Sequence, residues 1–187
     1  MKTTMYKIIF TFIILGWMGE TYGQRNWVGL GFGVKGMASS LATNGQFVEG
    51  SRTGSLIYPG IFYSHYVSAR RGYNLGINPL ASLKTKFQST DGLIKNENTY
   101  NGITASLGLF GCIASDYLSK FQIQLANNFT IGFLGDESFF MMDFGLSGQF
   151  KVTKNIKIAV DAFPLSFYVG GYGSAKFNGG IKILYAP

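Results

Sequence analysis

The sequence predicts an all-β protein, an eight-stranded antiparallel up-and-down transmembrane β-barrel preceded by a cleaved signal peptide. Three observations support this prediction. Apolar and polar side chains alternate along most of the chain with a period of two, which is the period of a strand. Only 13% of the 187 residues are charged, whereas 16% are aromatic. No run beyond the N-terminal segment reaches the about 18 apolar residues of a transmembrane helix, so a closed barrel is the remaining way to cross a membrane.

The N-terminal segment has the features of a secretory signal peptide. Lys2 and Lys7 precede an apolar run over residues 8–18, and small residues follow up to Gly23. A basic start, a short apolar run and small residues at the cleavage site are the elements of such a peptide. The run is too short for a membrane anchor, which needs about 20 apolar residues. The predicted organisation is a signal peptide over residues 1–23 and one outer-membrane β-barrel domain over residues 24–187.

Eight alternating segments follow the signal peptide. In the first segment, Val28, Leu30 and Phe32 share one face while Gly29 and Gly31 share the other. The apolar faces are expected to meet lipid and the polar faces to fill the interior, and many glycines fall on this narrow inner face. The same pattern predicts strands over residues 73–87, 103–113, 121–133, 140–152, 156–161 and 177–185, and the neighbours of residues 55–67 make that segment the eighth.

Three prolines interrupt the predicted strands. Pro59, Pro79 and Pro164 each lack the N–H that a ladder hydrogen bond requires, and a closed barrel has no edge strand to hold them. We therefore expect each proline to lie outside the membrane band or at a β-bulge.

Two connections between the predicted strands are long. They cover residues 41–52 and 90–101, and both are expected on the outer side of the membrane, where barrels carry their longer loops. Binding residues concentrate on loops that a rigid scaffold positions. The candidate recognition residues are therefore Asn44, Gln46, Phe47, Asn96, Asn98 and Tyr100.

These features resemble a known family. The signal peptide, the mature chain of 164 residues and a first strand containing Gly33-Val34-Lys35-Gly36 look like small outer-membrane β-barrel domains of the OmpX-like and PorT-like kind. The segments Gly60 to Tyr66 and Leu83 to Phe87 resemble the second and third strands of such domains. The resemblance implies an outer-membrane localisation. The expected partners are outer-membrane lipids and another envelope or secretion protein.

Charged side chains on the polar faces form a candidate lumen network. An eight-stranded barrel is just wide enough to be filled by its own side chains, so a polar plug is expected rather than a path for anions. The predicted members are Lys35, Lys84, Lys86, Asp143, Lys151, Lys157, Asp161 and Lys182.

Catalytic and cofactor chemistry finds little support. His65 is the one histidine, and barrel-type lipid A-modifying enzymes use a histidine with serine or acidic partners. Here the neighbours are Ser64 and Ser68, and no orienting acid is assigned nearby. The Gly-x-Gly-x-x-Gly pattern of residues 31–36 lies within one strand rather than before a helix. No cofactor and no metal site are predicted, and nucleic acid is not expected because the basic residues are dispersed.

The sequence therefore predicts an integral outer-membrane protein with a non-catalytic role in envelope structure, surface interaction or a secretion assembly. Two alternatives remain open. One is a lipid A-modifying enzyme that uses His65. The other is an exported, soluble, lipocalin-like barrel that binds an apolar ligand, since alternation alone does not tell inside from outside. The few charges on the polar faces favour the membrane form, because a water-exposed surface usually carries more.

Overall fold

The backbone forms eight long strands joined by short connections. A computed structural model of the protein describes residues 26–43, 49–116, 118–169 and 174–186. The predicted signal peptide and the candidate residues Asn44, Gln46 and Phe47 lie outside the described residues. The strands are β1 (Asn26–Thr43), β2 (Glu49–Tyr66), β3 (Arg71–Ser89), β4 (Lys95–Ala114), β5 (Phe121–Leu134), β6 (Glu137–Lys151), β7 (Ile156–Val169) and β8 (Ser174–Tyr185).

Each strand pairs antiparallel with the next, and β8 pairs with β1 to close the sheet. The predicted fold class, an eight-stranded up-and-down barrel, is confirmed. Among the described residues there is no helix long and apolar enough to span a membrane. We call the end that carries Asn26 and Tyr185 the terminal rim and the end that carries the turn at residues 90–94 the far rim.

A belt of apolar side chains surrounds the outer wall. On β4, Ile103, Leu107, Leu109 and Ile113 are each about half exposed. Ten residue steps of about 3.3 Å, tilted by about 40° to the barrel axis, give a belt about 25 Å high, the height expected of a barrel in the outer membrane. The belt continues on other strands through Leu30, Phe32, Leu125, Ile131, Leu146, Val160, Leu165, Phe167, Ile181 and Ile183.

The position of the apolar belt distinguishes a membrane barrel from a soluble ligand-binding barrel. In a soluble ligand-binding barrel, the apolar face would line the cavity and the charged face would meet water. Here a continuous belt of exposed large apolar side chains covers the outside, and the charged side chains of Lys35, Asp143 and Asp161 are buried inside. The lipocalin-like alternative is therefore wrong.

All three prolines lie at irregularities of the ladder, as expected. In β3, one extra residue at Pro79 and Leu80 shifts the register against both β2 and β4. The same interval of β2, between Ile57 and Ile61, contains Pro59. In β7, the extra residue lies beside Pro164, where the register against β6 shifts. A bulge leaves one residue unpaired, so the missing N–H of proline costs no ladder bond there.

The bulge in β3 reverses the faces of that strand. Before it, even-numbered residues such as Asn78 face the lumen; after it, odd-numbered residues such as Leu83 do so. Because the side-chain period is two, one inserted residue moves every following side chain to the other face. Lys84 and Lys86 are therefore exposed on the outer wall, and the prediction that they face the lumen is wrong.

The barrel wall is unequal in height. Strands β1 to β4 have 18 to 20 residues, whereas β5 to β8 have 12 to 15. The additional strand length lies at the far rim. Strand residues therefore occupy much of the predicted long loops over residues 41–52 and 90–101, and only residues 44–48 and 90–94 lie between the strands. We call this four-stranded portion of the wall the extension. Its outward face is polar, with Thr53, Ser82, Lys84, Thr99 and Asn101 beyond the apolar belt.

Deleting Leu80 tests the role of the bulge. Asn78 and Ala81 both face the lumen with two residues between them, so deleting Leu80 leaves Pro79 alone between them and keeps Leu83 inward and Lys84 and Lys86 outward. We therefore expect the Leu80 deletion variant to retain the heat-sensitive gel mobility of a folded barrel. Deleting Pro79 and Leu80 together places Ala81 directly after Asn78 and turns Lys84 and Lys86 inward, where burying ammonium groups without partners costs several kcal/mol each. The double deletion should lose this gel mobility; a double deletion that folds as well as the single deletion would contradict this account.

Candidate functional site

The interior of the barrel is filled in three layers. Near the terminal rim lies an apolar group that we call the terminal cluster, and near the far rim lies a second group, the far cluster. A polar layer separates them. The terminal cluster contains Trp27, Phe62, Tyr66, Phe110, Cys112, Ala126, Ala159, Phe163, Leu184 and Ala186, and the far cluster contains Met37, Leu56, Ala81, Leu83, Leu134, Phe139 and Met141. The lumen is thus less polar than the sequence predicts.

An ion pair crosses the polar layer. Lys35 of β1 places its Nζ 2.6 Å from Oδ2 of Asp143 on β6, and both side chains are almost fully buried. The second oxygen of Asp143 accepts a hydrogen bond of 2.6 Å from the Ser166 hydroxyl. Thr130 Oγ1 lies 3.5 Å from the ammonium group. Since β1 and β6 are not neighbours in the sheet, this contact joins opposite parts of the wall.

A second pair balances the remaining charge of this layer. Lys182 Nζ lies 2.5 Å from Oδ2 of Asp161 and 4.7 Å from the centroid of the Phe62 ring. Each of the two buried carboxylates therefore has one lysine partner. Charges in such a low-dielectric interior are costly unless they are paired and hydrogen-bonded.

The polar layer encloses a cavity of about 30 Å³. This volume has room for about two water molecules. Asn74 and Asn78 line the cavity, and their carbonyl oxygens have no hydrogen-bond partner among the described residues. The volume and polar lining of the cavity suit water molecules, and the cavity is far too small to be a conduit.

A hydrogen-bonded group fills the lumen beside the terminal cluster. The Tyr66 hydroxyl lies 2.7 Å from Gln122 Oε1 and accepts a hydrogen bond of 2.7 Å from Gln124 Nε2. Gln149 Nε2 donates to Gln124 Oε1 at 2.9 Å. Lys157 Nζ lies 3.4 Å from the same hydroxyl, and no ion pair with a described carboxylate is formed. The Tyr66 ring packs against Phe110 and Lys157 lies over the Trp27 ring, so side chains from several strands fill the lumen at this level too.

Glycine allows the largest side chains to lie across the inner wall. A Cβ at Gly33 would lie 2.1 Å from the Tyr58 ring, and one at Gly132 would lie 2.3 Å from the Phe139 ring. One at Gly31 would lie 2.7 Å from the Phe62 ring. Any larger residue at these positions would displace a ring, which accounts for the inner-face glycines that the alternation predicts.

Lys157 also faces the lumen, and the other three predicted lumen charges lie elsewhere. Lys151 is half-buried at the terminal rim, and its Nζ donates to the Leu118 carbonyl oxygen at 3.2 Å. Lys86 pairs with Glu97 at 2.5 Å on the outer wall, where both side chains are about two-thirds exposed. Lys84 is exposed on the same wall. Of the eight predicted residues, the polar layer unites Lys35, Asp143, Asp161 and Lys182.

His65 faces outward near the terminal rim. Its Nδ1 lies 2.6 Å from Asn26 Oδ1, which also accepts a hydrogen bond of 2.9 Å from the Tyr63 hydroxyl. The His65 and Tyr73 rings are 5.2 Å apart. Ser64, the nearest serine in sequence, is buried on the opposite face of the strand. Among the described residues, no cluster of three histidine, cysteine or acidic side chains could hold a metal ion.

The far rim carries the residues that the sequence assigns to a loop. Asn96, Asn98 and Tyr100 lie in strand β4, so their predicted placement in a long loop is wrong. Asn96 and Asn98 are exposed, whereas Tyr100 is half-buried and packs against the far cluster. The sequence pattern missed this strand because asparagines and charges there replace the apolar residues that mark a lipid-facing strand.

Among the described residues, one edge of the extension has no neighbouring strand. Strand β4 pairs with β3 from Lys95 onward, but its pairing with β5 begins only at Gly102. Residues 95–101 are therefore hydrogen-bonded on one side alone. Alternate residues of an antiparallel strand direct their N–H and C=O groups to opposite sides. We call this segment the open edge.

Removing one partner of the central ion pair should destabilise the barrel. Asp143→Ala leaves the Lys35 ammonium group buried without its partner, a change that typically costs about 3–5 kcal/mol. Equilibrium unfolding in urea, in detergent micelles, measures the loss. Replacing both residues together, by Met at position 35 and Leu at position 143, should cost less than Asp143→Ala alone. An equal or greater loss in the double variant would contradict the role assigned to the pair.

Comparisons with known proteins identify the fold. No family model matches the chain, and no curated protein matches it. The outer membrane protein OprG from Pseudomonas aeruginosa is similar in structure, with a TM-score of 0.57 and 14% identity over 87% of this chain and 95% of that one.

Two autotransporter domains are more distant. The transport unit of AIDA-I from Escherichia coli has a TM-score of 0.35 and 11% identity, covering 90% of this chain and 92% of that one. The translocator domain of NalP from Neisseria meningitidis has a TM-score of 0.30 and 12% identity, covering 98% and 96%. These two scores are too low to support an argument. The closed eight-stranded sheet, its apolar belt and the likeness to OprG show that this chain has the fold of a small outer-membrane β-barrel.

Proposed function

We propose that the protein is an integral outer-membrane barrel with a non-catalytic, non-conducting role, and that its extension binds an extended segment of another protein. The apolar belt supports the membrane placement, since it has the height of the hydrocarbon layer and surrounds a closed barrel. The open edge of β4 is the observation that carries the binding role.

The filled lumen argues against conduction. The Lys35–Asp143 pair crosses the middle of the barrel, and an apolar cluster lies on either side of it. An ion entering the lumen would have to displace well-packed rings and then a buried ion pair. A barrel of this strand number has no spare width in which to do so.

The surroundings of His65 argue against catalysis. The described side chains around His65 include the amide of Asn26 and the rings of Tyr63 and Tyr73. A hydrolase or acyltransferase centred on His65 would need a nucleophile on the same face, and Ser64 points into the lumen.

Hydrogen bonds within the turn at residues 90–94 order the hairpin that carries the open edge. Gly92 has a φ of 73°, and its N–H donates to the Ser89 carbonyl oxygen at 2.9 Å. The Ser89 hydroxyl and the Leu93 N–H donate to the Asp91 carboxylate, and these bonds hold the pKa of Asp91 below its ordinary value. The edge is thus presented on an ordered hairpin outside the membrane belt.

An ordered edge of seven residues is a template for strand addition. The free N–H and C=O groups can pair with an extended segment of a partner, as in other cases of β-augmentation. Lys95 adds a positive charge to the outward face, where it favours an acidic residue on the partner strand, whereas Glu97 is already paired with Lys86. These charges also discourage unspecific apolar association. An envelope or secretion protein with an exposed polar segment is the occupant that fits.

Reconstitution in a planar lipid bilayer tests the closed lumen. The wild-type barrel should give no stepwise ion current, because no continuous aqueous path runs through it. A variant with Trp27, Leu56, Tyr66 and Met141 all replaced by alanine removes bulk from both clusters and should be leaky if it remains folded. Regular current steps from the wild type would contradict a non-conducting role.

Site-specific photo-crosslinking in intact cells tests the open edge. A photoreactive side chain at Thr99 lies on the edge strand, whereas one at Thr53 lies at similar height on β2, which is paired on both sides. Strand addition predicts a discrete crosslinked partner from position 99 and none from position 53. Once the partner is identified, its isolated segment should slow amide hydrogen exchange over residues 95–101. Equal crosslinking at both positions, or no protection of these amides, would refute strand addition.

A further inference from the structure

The apolar belt reaches the terminal rim without an intervening polar zone. Ile113, Phe121, Ile156 and Tyr185 lie at the rim ends of their strands, and each is exposed on the outer wall. Val67 in the first rim turn is also exposed. The turns beyond these residues are therefore at the level of lipid headgroups once the belt is embedded. At the far rim, by contrast, the polar extension separates the belt from the turn at residues 90–94.

The turns at the terminal rim are basic. Arg70, Arg71, Lys120 and Lys154 are all exposed there, and Asp116 is the one acidic residue among the described residues of these turns. Asp116 is already engaged, because its carboxylate accepts hydrogen bonds from the Leu118 N–H and the Ser119 hydroxyl. The guanidinium group of Arg70 interacts electrostatically with the Asp116 carboxylate. Arg71 forms no ion pair with a described carboxylate.

Polar aromatic side chains stand beside Arg71 on the outer wall. Tyr73 follows Arg71 by two residues on β3 and therefore shares its face, and His65 is the residue paired with Tyr73 on β2. The rings of Tyr63, His65 and Tyr73 lie within 5.2 to 6.4 Å of one another. Asn26 fixes two of these rings by accepting hydrogen bonds from them. We call this group the ring platform.

We propose that Arg70, Arg71 and the ring platform form a binding site for the headgroup of an anionic phospholipid in the leaflet that surrounds the terminal rim. The guanidinium groups supply the planar donor geometry that suits a phosphate. Tyrosine rings prefer the headgroup level of a membrane. The ring platform therefore lies at the depth where a lipid phosphate is found. The site rests on the membrane placement proposed above but not on the open edge, which lies at the opposite rim.

The fixed backbone of the rim turn supports a site rather than a diffuse attraction. The N–H groups of Val67 and Ser68 both donate to the Arg71 carbonyl oxygen, at 2.9 and 3.1 Å. The Arg70 carbonyl oxygen accepts from the Cys112 N–H at 2.6 Å on the adjacent strand. Both arginines therefore start from anchored backbone positions, so the lipid needs to order only their side chains.

Native mass spectrometry of the folded barrel measures this binding. The protein is released from detergent micelles that contain either phosphatidylglycerol or phosphatidylcholine, and the fraction carrying one bound lipid is counted. The wild type should retain phosphatidylglycerol preferentially. A cation near an anionic membrane surface contributes about fivefold in binding, so Arg70→Gln/Arg71→Gln should reduce retention of this lipid by well over fivefold. Tyr73→Leu keeps an apolar side chain but removes the phenol, and it should also weaken retention.

The control is the pair Lys84→Gln/Lys95→Gln, which removes two exposed positive charges near the far rim. This variant should retain phosphatidylglycerol as the wild type does. Equal loss in the control variant, equal retention of both lipids by the wild type, or unchanged retention in the arginine variant would each overturn the site. Heat-dependent gel mobility is measured on every sample, so failure to form the barrel is distinguished from failure to bind lipid.

Discussion

Satisfying the backbone hydrogen bonds within lipid is the constraint on which this structure depends. A strand facing hydrocarbon has no water to pair with, so the sheet must close upon itself within the membrane. The pairing of β8 with β1 meets this requirement. Proline is then tolerated only where the ladder is already irregular, and Pro59, Pro79 and Pro164 all lie at such positions. The open edge of β4 does not violate the rule, since it stands beyond the apolar belt, where water can pair with it.

Closure with eight strands also fixes the interior. The bore is narrow, so every inward side chain must share space with its counterparts from across the barrel. Glycines such as Gly33 and Gly132 leave room for the rings of Tyr58 and Phe139, and the buried ammonium group of Lys35 has its partner on a distant strand. The result is a packed core with a polar layer in its middle, much like the core of a soluble protein surrounded by lipid-facing side chains. Rigidity, rather than passage, is the property that such an interior confers.

The sequence was sufficient to predict the closed barrel, its eight strands and an unusual position for each of the three prolines, because the period of two and the chemistry of proline act locally. It was not sufficient for the faces of β3 beyond Pro79. Whether a proline inserts an extra residue depends on the register of both neighbouring strands, which one strand does not reveal. The Lys35–Asp143 contact was equally hidden, since it spans 108 positions in sequence. Asn96 and Asn98 read as a loop because a strand outside the membrane has no need of apolar residues.

The unequal height of the wall makes the two sides of the barrel different at the far rim. The four long strands stand as a half-cylinder on one side of the far rim, while the four short strands end near the level of the belt. A molecule that approaches along the membrane surface therefore meets the polar extension from one direction and the shorter part of the wall from the other. The contacts of this barrel with neighbouring proteins in the same membrane would therefore depend on its direction. Rotation of the barrel about the membrane normal would determine which neighbour meets the extension.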